Sequence, residues 1–377
     1  MKIAIVGDVF ITKPQNVSID KSVIDLFNGC QYRVVNLEGP INGGEEIVPP
    51  KKSGSSLKQP TSIIGFLKSL NVDAVTLSNN HIMDYGEQGY LHTIKYLKDI
   101  ATIGAGKWQD AYRMHVIEAE NQSIGILNYC EMQFGMLYDD WTQNNNTIGC
   151  AWINYHKVED IIRESRAKVD YLICICHAGV EEINIPLPEW RDKYRSLIDC
   201  GCDAIICHHP HIVQGIEIYN GKPIHYSLGN FCFRKDIPSQ DKEWNTGAVA
   251  VLNIDENKIF LETYGVELAQ DRLIIIDEKS WNLKMKGLNE MLEEATYKKA
   301  IKKKCTQLLK ERYWGLFAIG GLFNPKKLTV KLFGRVLLGY YNNVHLLNNM
   351  QCESHRWCIS RALQEEINKE SNNKKEK

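Results

Sequence analysis

Five short apolar runs of this chain end in side chains that could bind a metal ion. In chain order, these side chains are Asp8, Glu38, Asn80, His177, His209 and His211. Carboxylate and amide oxygens combined with imidazole nitrogens suit zinc, manganese or iron, and the set is too rich in imidazole for calcium. Two such ions close together could share a carboxylate, polarise a phosphoryl or carbonyl oxygen and generate hydroxide near neutral pH. The sequence therefore predicts a centre for one or two divalent metal ions.

Each of these residues alone also has an ordinary structural explanation. Asp8 could cap a helix or form a turn, and His177 could be a hydrogen-bonded core histidine. The metal interpretation depends on the coincidence of five strand ends and on His209-Pro210-His211, which places two imidazoles in one turn. The remaining histidines lack this setting and are predicted to be structural or on the surface: His92, His115, His156, His225, His345 and His355.

Strands that alternate with helices would bring the candidate ligands together. Apolar runs rich in β-branched residues predict strands at 2–6, 33–37, 74–77, 171–176 and 204–207. Helices are predicted near 61–70, 86–98, 155–168 and 189–200. Continuous apolar strands that alternate with helices are typical of a sheet covered on both faces. Ligands of such a sheet gather at the carboxyl ends of its strands.

Hairpins are predicted at 114–130, 212–227 and 248–264. Their turns are expected at Glu120-Asn121-Gln122, at Asn220-Gly221 and near Glu256-Asn257. These hairpins predict an antiparallel second half of the fold. The stretch 42–59, which is rich in Gly, Ser, Lys and Pro, is predicted to be a loop.

The overall charge and the cysteines narrow the function classes. The 377 residues carry 45 Lys and Arg against 46 Asp and Glu, so general electrostatic attraction to nucleic acid is excluded and no nucleic-acid partner is predicted. Among the 12 cysteines there is no Cys-x-x-Cys pair, which disfavours a zinc ribbon and favours a reduced core. With no signal peptide and no apolar run of membrane-spanning length, a cytoplasmic location is expected.

The chain becomes helical and more basic towards its end. We expect a domain at 1–280, a helical basic region at 281–367 and a disordered tail at 368–377. Residues 295–340 mix basic and apolar side chains, with Glu311 as their single acid. Such a segment could lie on an anionic membrane as a peripheral contact. Alternatively, the segment could pack its apolar side on the main domain. This arrangement is the commoner one, and we favour it.

Six motifs resemble the capsule-synthesis CapA family, in the order found there. They are Val6-Gly7-Asp8-Val9, Asn36-Leu37-Glu38, Leu77-Ser78-Asn79-Asn80-His81 with Asp84-Tyr85-Gly86, His177-Ala178-Gly179-Val180-Glu181, His208-His209-Pro210-His211 and Tyr226-Ser227-Leu228-Gly229-Asn230-Phe231. This resemblance covers roughly residues 1–250. The family is associated with poly-γ-glutamate capsules and is similar to the calcineurin-like metallophosphoesterases.

The resemblance implies a four-layer α/β/β/α sandwich, here with a helical C-terminal extension. It implies that Asp8 and Glu38 bind metal, that Asn80 is a further ligand, and that His81 partners the leaving group or the substrate oxyanion. His177, His209 and His211 would complete the ligand set, with His208 as an alternative to His209. Metallophosphoesterases generally carry His two residues after the first Asp, where this chain has Phe10, so one metal subsite has one ligand fewer.

Two acidic residues follow candidate ligands closely. Asp84 lies four residues after Asn80, and Glu181 lies four residues after His177. Each is predicted to accept a proton from a ligating imidazole or to anchor a loop.

The expected activity is metal-dependent hydrolysis of a phosphoester or of a poly-γ-glutamate-like polymer. The alternative is a non-catalytic accessory or binding factor for envelope polymer assembly.

Overall fold

A computed structural model describes residues 1–42, 47, 49, 52–119, 122–134, 147–255, 258–313 and 345–375 of the chain. Its strands are β1 (Lys2–Ile11), β2 (Ser18–Ile19), β3 (Tyr32–Leu37), β4 (Ile41–Asn42), β5 (Gln59–Pro60), β6 (Ala74–Thr76), β7 (Ala101–Ile103), β8 (Ala105–Gly106), β9 (His115–Ala119), β10 (Gln122–Cys130), β11 (Gly149–Cys150), β12 (Tyr171–His177), β13 (Ala204–His208), β14 (Ile216–Tyr219), β15 (Lys222–His225), β16 (Asn230–Arg234), β17 (Thr246–Ile254), β18 (Ile259–Ala269) and β19 (Arg272–Ile275).

The helices occupy the segments between these strands and most of the C-terminal region. They are α1 (Lys21–Asn28), α2 (Ile63–Ser69), α3 (Gly86–Tyr96), α4 (Trp108–Ala111), α5 (Val158–Arg166), α6 (Pro188–Cys200), α7 (Glu278–Glu290), α8 (Glu294–Leu308) and α9 (Glu353–Lys375). The helices predicted near 61–70, 86–98, 155–168 and 189–200 correspond to α2, α3, α5 and α6.

The strands form two large sheets. The first sheet has the order β2-β19-β18-β17-β1-β3-β6-β7, with β16 also paired to β1. The second sheet has the order β14-β15-β13-β12-β10-β9. In each sheet a central group of parallel strands, β1-β3-β6 in the first and β10-β12-β13 in the second, ends at one edge. The side chains that follow these strands therefore leave the two sheets in a common region.

Alternation along the strands divides the core into layers. Ile3 and Ile5 of β1 pack with Ile173 and Ile175 of β12 in one buried cluster between the sheets. The outward residues of β1 pack on helices α1, α2 and α3, and those of β12 pack on α5, α6, α8 and α9. Successive side chains of a strand point to opposite faces of the sheet, and both faces of each sheet are covered, so the buried side chains fall into layers. The predicted α/β/β/α sandwich is confirmed.

Strand β1 is longer than the sequence predicted. It continues past Asp8 to Ile11, so Asp8 lies within the strand and not beyond its end. The reason is a change of partner: β17 pairs with the first half of β1, and β16 pairs with the second half from Asp8 onwards. The register with β3 shifts between Val6 and Asp8, which is a bulge that re-aims the Asp8 side chain.

Gly7 allows this bulge. A Cβ at this position would lie 2.0 Å from the carbonyl oxygen of Gly229, so no larger residue fits. The close approach brings the start of β16 beside Asp8, whose backbone N–H donates to the Gly229 carbonyl at 3.0 Å.

The three predicted hairpins are present as β9–β10, β14–β15 and β17–β18. The β14–β15 turn is at Asn220-Gly221, where both residues have positive φ, as a two-residue hairpin turn requires. Residues 120–121 and 256–257, where the other two turns were predicted, lie outside the described residues.

The C-terminal helices pack against the second sheet. Tyr297, Ile301 and Cys305 of α8 are buried in the cluster that also contains Trp190 of α6, so this helix docks its apolar side. Residues 314–344 lie outside the described residues, and membrane contact by that part stays a prediction, as does a domain boundary at 280. Among the described residues, no helix is both long and apolar enough to span a membrane.

Helix α9 continues to Lys375, into the segment for which the sequence predicted a disordered tail. The tail is polar, but Glu and Lys are good helix formers and extend a helix that is already nucleated on the core. Residues 376–377 lie outside the described residues.

Replacing Ile206 by Ala is expected to lower the free energy of unfolding by about 2–5 kcal/mol, because the side chain is completely buried between the two sheets. Denaturant titration followed by circular dichroism measures the change. Ile218→Ala is the matched control: this side chain is 65% exposed, and its loss should change stability by less than about 0.5 kcal/mol. Equal effects of the two substitutions would contradict the packing described here.

Candidate metal centre

The register of the parallel strands assembles the site. In the second sheet, Cys130, His177 and His208 lie abreast at the ends of β10, β12 and β13. In the first sheet, Asp8 of β1 pairs with Asn36 of β3. Glu38 directly follows the end of β3 and therefore lies just beyond Asp8 at the same edge of the sheet. Residues distant in sequence thus meet where the two sheets face each other.

Glu38 lies at the centre of this region. It is completely buried, and neither of its carboxylate oxygens has a hydrogen-bond partner among the residues that the structure describes. Its Oε1 lies 3.6 Å from His211 Nε2, 3.8 Å from His81 Nε2 and 3.9 Å from His177 Nε2. Burial raises the pKa of Glu38 well above its ordinary value, although His211 opposes the shift. A buried carboxylate without a donor is costly unless a cation neutralises it, so this environment fits a metal ion.

Asp8, Glu38 and His211 form one group of possible ligands, with one atom from each lying within 4.8 Å of the others. Asp8 Oδ2 lies 3.2 Å from His211 Nδ1, and Asn36 donates to Asp8 Oδ1 at 2.6 Å. Burial disfavours the charged forms of both His211 and Asp8, but their mutual attraction is stronger. Glu38 and Asp8 raise the pKa of His211 to about 10, and His211 lowers the pKa of Asp8. Positive charge beside Asp8 and Glu38 is therefore favoured in this part of the site.

Glu38, His177 and His209 form a second group. His177 Nε2 lies 3.0 Å from Asn80 Oδ1 and 3.1 Å from His209 Nδ1. Donor atoms that share one metal at about 2 Å must lie about 3–4 Å from one another, and these atoms do. Burial lowers the pKa of His177 well below its ordinary value and that of His209 to about 3. Both imidazoles are therefore neutral, which is the form that binds metal.

Glu181 reaches the same region from the loop after β12. One of its oxygens lies within 4.8 Å of ring nitrogens of His209 and His211. Burial acts to raise the pKa of Glu181, but nearby positive groups, among them His211 and Arg312, lower it to about 2. The sequence predicted that Glu181 supports a metal ligand. Its position in the structure also allows direct metal binding.

His81 lies beside the second group, and Asp84 and Lys52 contact its Nδ1. Its Nδ1 is 2.6 Å from Asp84 Oδ2, and its Nε2 faces Glu38. Lys52 forms an ion pair with Asp84 and lies 3.2 Å from His81 Nδ1. Burial lowers the pKa of His81, and the Asp84 carboxylate opposes that shift. Asp84 also accepts from the backbone N–H of Leu57 at 2.6 Å and so contacts the preceding loop.

Two predicted positions lie outside the ligand groups. His208 points back to the first sheet, with its Nε2 2.9 Å from the carbonyl oxygen of Val6. Phe10 is buried against Phe233, with 5.1 Å between the ring centroids, and His211 contacts the same aromatic cluster. The Asp8 side of the centre is therefore lined by aromatic rings that include Phe10 and Phe233.

The sequence analysis missed Lys52 and Glu131. Lys52 lies in the predicted loop, and nothing in its neighbours marks it. Glu131 follows the apolar strand β10 directly, which is the signal that identified the other site residues. It was overlooked because that strand was interpreted only as part of a hairpin. Burial raises the pKa of Glu131 to about 8.

Comparisons with known proteins agree with these motifs. The chain is 30% identical over 220 residues to the PGA biosynthesis protein CapA of Bacillus subtilis, which covers 57% of each chain. It is 26% identical to the capsule biosynthesis protein CapA of Bacillus anthracis, over 44% of this chain and 41% of the relative. A probable polyglutamine synthesis accessory protein of Mycobacterium tuberculosis is 27% identical, over 52% of this chain and 54% of the relative. The chain thus spans about half the length of the curated relatives it matches.

Among solved structures, the calcineurin-like phosphoesterase YfkN from Bacillus subtilis aligns with 70% of this chain and 89% of its own, at 18% identity and a TM-score of 0.42. Residues 2–235 match the family described as bacterial capsule synthesis protein PGA_cap. That segment contains Asp8, Glu38, Asn80, His177 and the His209-Pro210-His211 turn. The predicted resemblance is confirmed, and the chain belongs to the PGA_cap family of bacterial capsule synthesis proteins.

Proposed function

We propose that this protein is a metal-dependent hydrolase of the phosphoesterase type that acts in the synthesis of a capsule polymer. The observation that carries the proposal is the buried Glu38 carboxylate, which has no hydrogen-bond donor and lies among imidazoles from both sheets. Family membership and the names of the relatives support a role in poly-γ-glutamate synthesis.

Six residues would hold one or two divalent ions: Asp8, Glu38, Asn80, His177, His209 and His211. Their mixed oxygen and nitrogen donors suit manganese, zinc or iron. A bound ion would polarise a phosphoryl or carbonyl oxygen and lower the pKa of a bound water. Glu38 belongs to both donor groups, so its carboxylate is the one placed to bridge two ions.

His81 would move the proton. Asp84 holds Nδ1 of the imidazole, and Lys52 fixes the Asp84 carboxylate by an ion pair. These contacts leave Nε2 directed at Glu38, on the side where a substrate oxygen would bind. In its protonated form, which the Asp84 carboxylate favours against the effect of burial, His81 would protonate a leaving oxygen or stabilise an oxyanion there.

The substrate class under this proposal is a phosphoester or a γ-glutamyl polymer. A screen of the purified protein against both classes, with manganese, zinc and iron supplied separately, tests the proposal directly. A second candidate is a non-catalytic accessory factor that uses the same site for binding, which the name of the Mycobacterium tuberculosis relative favours. Metal-dependent turnover separates the two: the enzyme shows it, and the accessory factor binds metal and polymer without turnover.

A protein with both Asp8→Ala and His209→Ala is expected to lose most of its bound metal, because each donor group then lacks a ligand. Elemental analysis of protein purified without chelator measures the content. His225→Ala is the matched control, since His225 is also completely buried but belongs to neither donor group. The proposal fails if the double variant, still folded by circular dichroism, retains as much metal as the wild type.

His81→Ala is expected to reduce turnover of the best substrate from the screen by about 10²- to 10⁴-fold, the usual effect of losing a positioned proton donor. Metal content should stay unchanged, because His81 is not one of the six proposed ligands. Asp84→Asn should give a smaller loss, since the imidazole remains but its orientation is weaker. Full activity of His81→Ala would show that this histidine has no part in the chemistry.

A further inference from the structure

We propose that Glu131 is a positioning residue that holds His209 for metal binding, and that the start of the C-terminal helix α9 fixes Glu131 in place. This inference rests on the proposed function, because it assigns a role in the same metal site. It concerns a part of the chain, residues 352–354, that lies beyond the family match at 2–235.

The two ring nitrogens of His209 face different groups. Nδ1 lies 3.1 Å from His177 Nε2, within the second donor group. Nε2 lies 3.5 Å from Glu131 Oε1 and, among the residues that the structure describes, has no hydrogen-bond partner. A metal-binding imidazole almost always donates its other N–H to a carboxylate, a carbonyl or water. Glu131 is the carboxylate placed to accept from Nε2 when Nδ1 binds metal.

The backbone of His209 needs such support. Its φ is 95°, in the left-handed half of conformational space that residues with a Cβ adopt rarely. Surrounding contacts must hold a residue in this conformation. The ring is enclosed by His177, by His211 and by the Glu131 carboxylate.

Glu131 is itself held at both oxygens. Oε1 accepts from the backbone N–H of Gly179 at 2.9 Å. Oε2 accepts from the backbone N–H of Ser354 at 3.1 Å and from the Cys352 thiol at 3.5 Å. The carboxyl group therefore connects the loop after β12, the start of α9 and the metal side of His209.

Neighbouring contacts fix the start of α9 in turn. Glu353 accepts from the indole N–H of Trp152 at 2.7 Å and from the backbone N–H of Met132 at 2.9 Å. The Ser354 hydroxyl accepts from the indole N–H of Trp190 at 2.7 Å. The C-terminal helix is thus attached to the ends of β10 and β12 and not merely packed on the outside of the sandwich.

Glu131→Gln and Glu353→Gln make a matched pair. Both glutamates are buried and both link the start of α9 to the core: Glu131 accepts from Ser354, and Glu353, the first residue of the helix, accepts from Met132. As far as the described residues extend, only Glu131 contacts a proposed metal ligand. Each full-length variant, stripped with a chelator, is titrated with Co²⁺ by visible absorption and with Mn²⁺ and Zn²⁺ by calorimetry. The Tm of the metal-free proteins is measured in parallel.

We expect metal affinity to fall about 10- to 100-fold in Glu131→Gln, with altered Co²⁺ absorption bands. Glu353→Gln should lose clearly less affinity than Glu131→Gln, because it weakens the attachment of α9 but leaves the carboxylate beside His209 in place, even if its metal-free Tm is lower. Unchanged affinity in Glu131→Gln, or an equal loss in both variants, would overturn the positioning role while leaving the proposed function intact. A wild-type protein that binds none of the three ions would overturn the proposed function and this inference with it.

Discussion

An acid buried without a hydrogen-bond donor is the constraint on which the rest of the site depends. Glu38 lies between two sheets and is completely buried, and the nearest nitrogens of His211, His81 and His177 lie 3.6, 3.8 and 3.9 Å from its Oε1. An ionised carboxylate in such a place costs several kcal/mol unless a cation accompanies it. Burial raises the pKa of Glu38, and Glu38 and Asp8 raise the pKa of the neighbouring His211, so positive charge beside this carboxylate reduces that cost. A divalent ion among the same donors would do so more completely, which explains why they converge.

The two sheets hold this arrangement through backbone features rather than through the ligands alone. The bulge at Gly7 turns Asp8 towards the second sheet, and His208 ties the end of β13 to the Val6 carbonyl. His209 and His211 both have positive φ, so the turn between them is shaped to direct two imidazoles inwards. Since these features cost conformational energy, the packed sheets around them must maintain them.

Much of this architecture could be predicted from the sequence because strand ends are local signals. Runs of β-branched residues followed by Glu38 or His177 define both an element and the place where it stops. The extension of β1 past Asp8 could not be predicted, since it depends on pairing with β16, more than 200 residues away.

Glu131 and Lys52 were missed for a related reason. Glu131 has the same strand-end signal, but its importance depends on the parallel register of β10 beside β12 and on contacts with α9. Lys52 is defined by its partners Asp84 and His81 alone, and no local pattern marks it. Long-range partners of this kind are visible only once the chain is folded.

Anomalous diffraction at the absorption edges of manganese, iron and zinc, from crystals grown with each ion, would test the central claim most directly. The account predicts an anomalous peak within about 2.0–2.3 Å of a Glu38 carboxylate oxygen, shared with imidazole nitrogens of the donor groups. A protein that binds its metal elsewhere, with Glu38 still uncoordinated between the sheets, would contradict it.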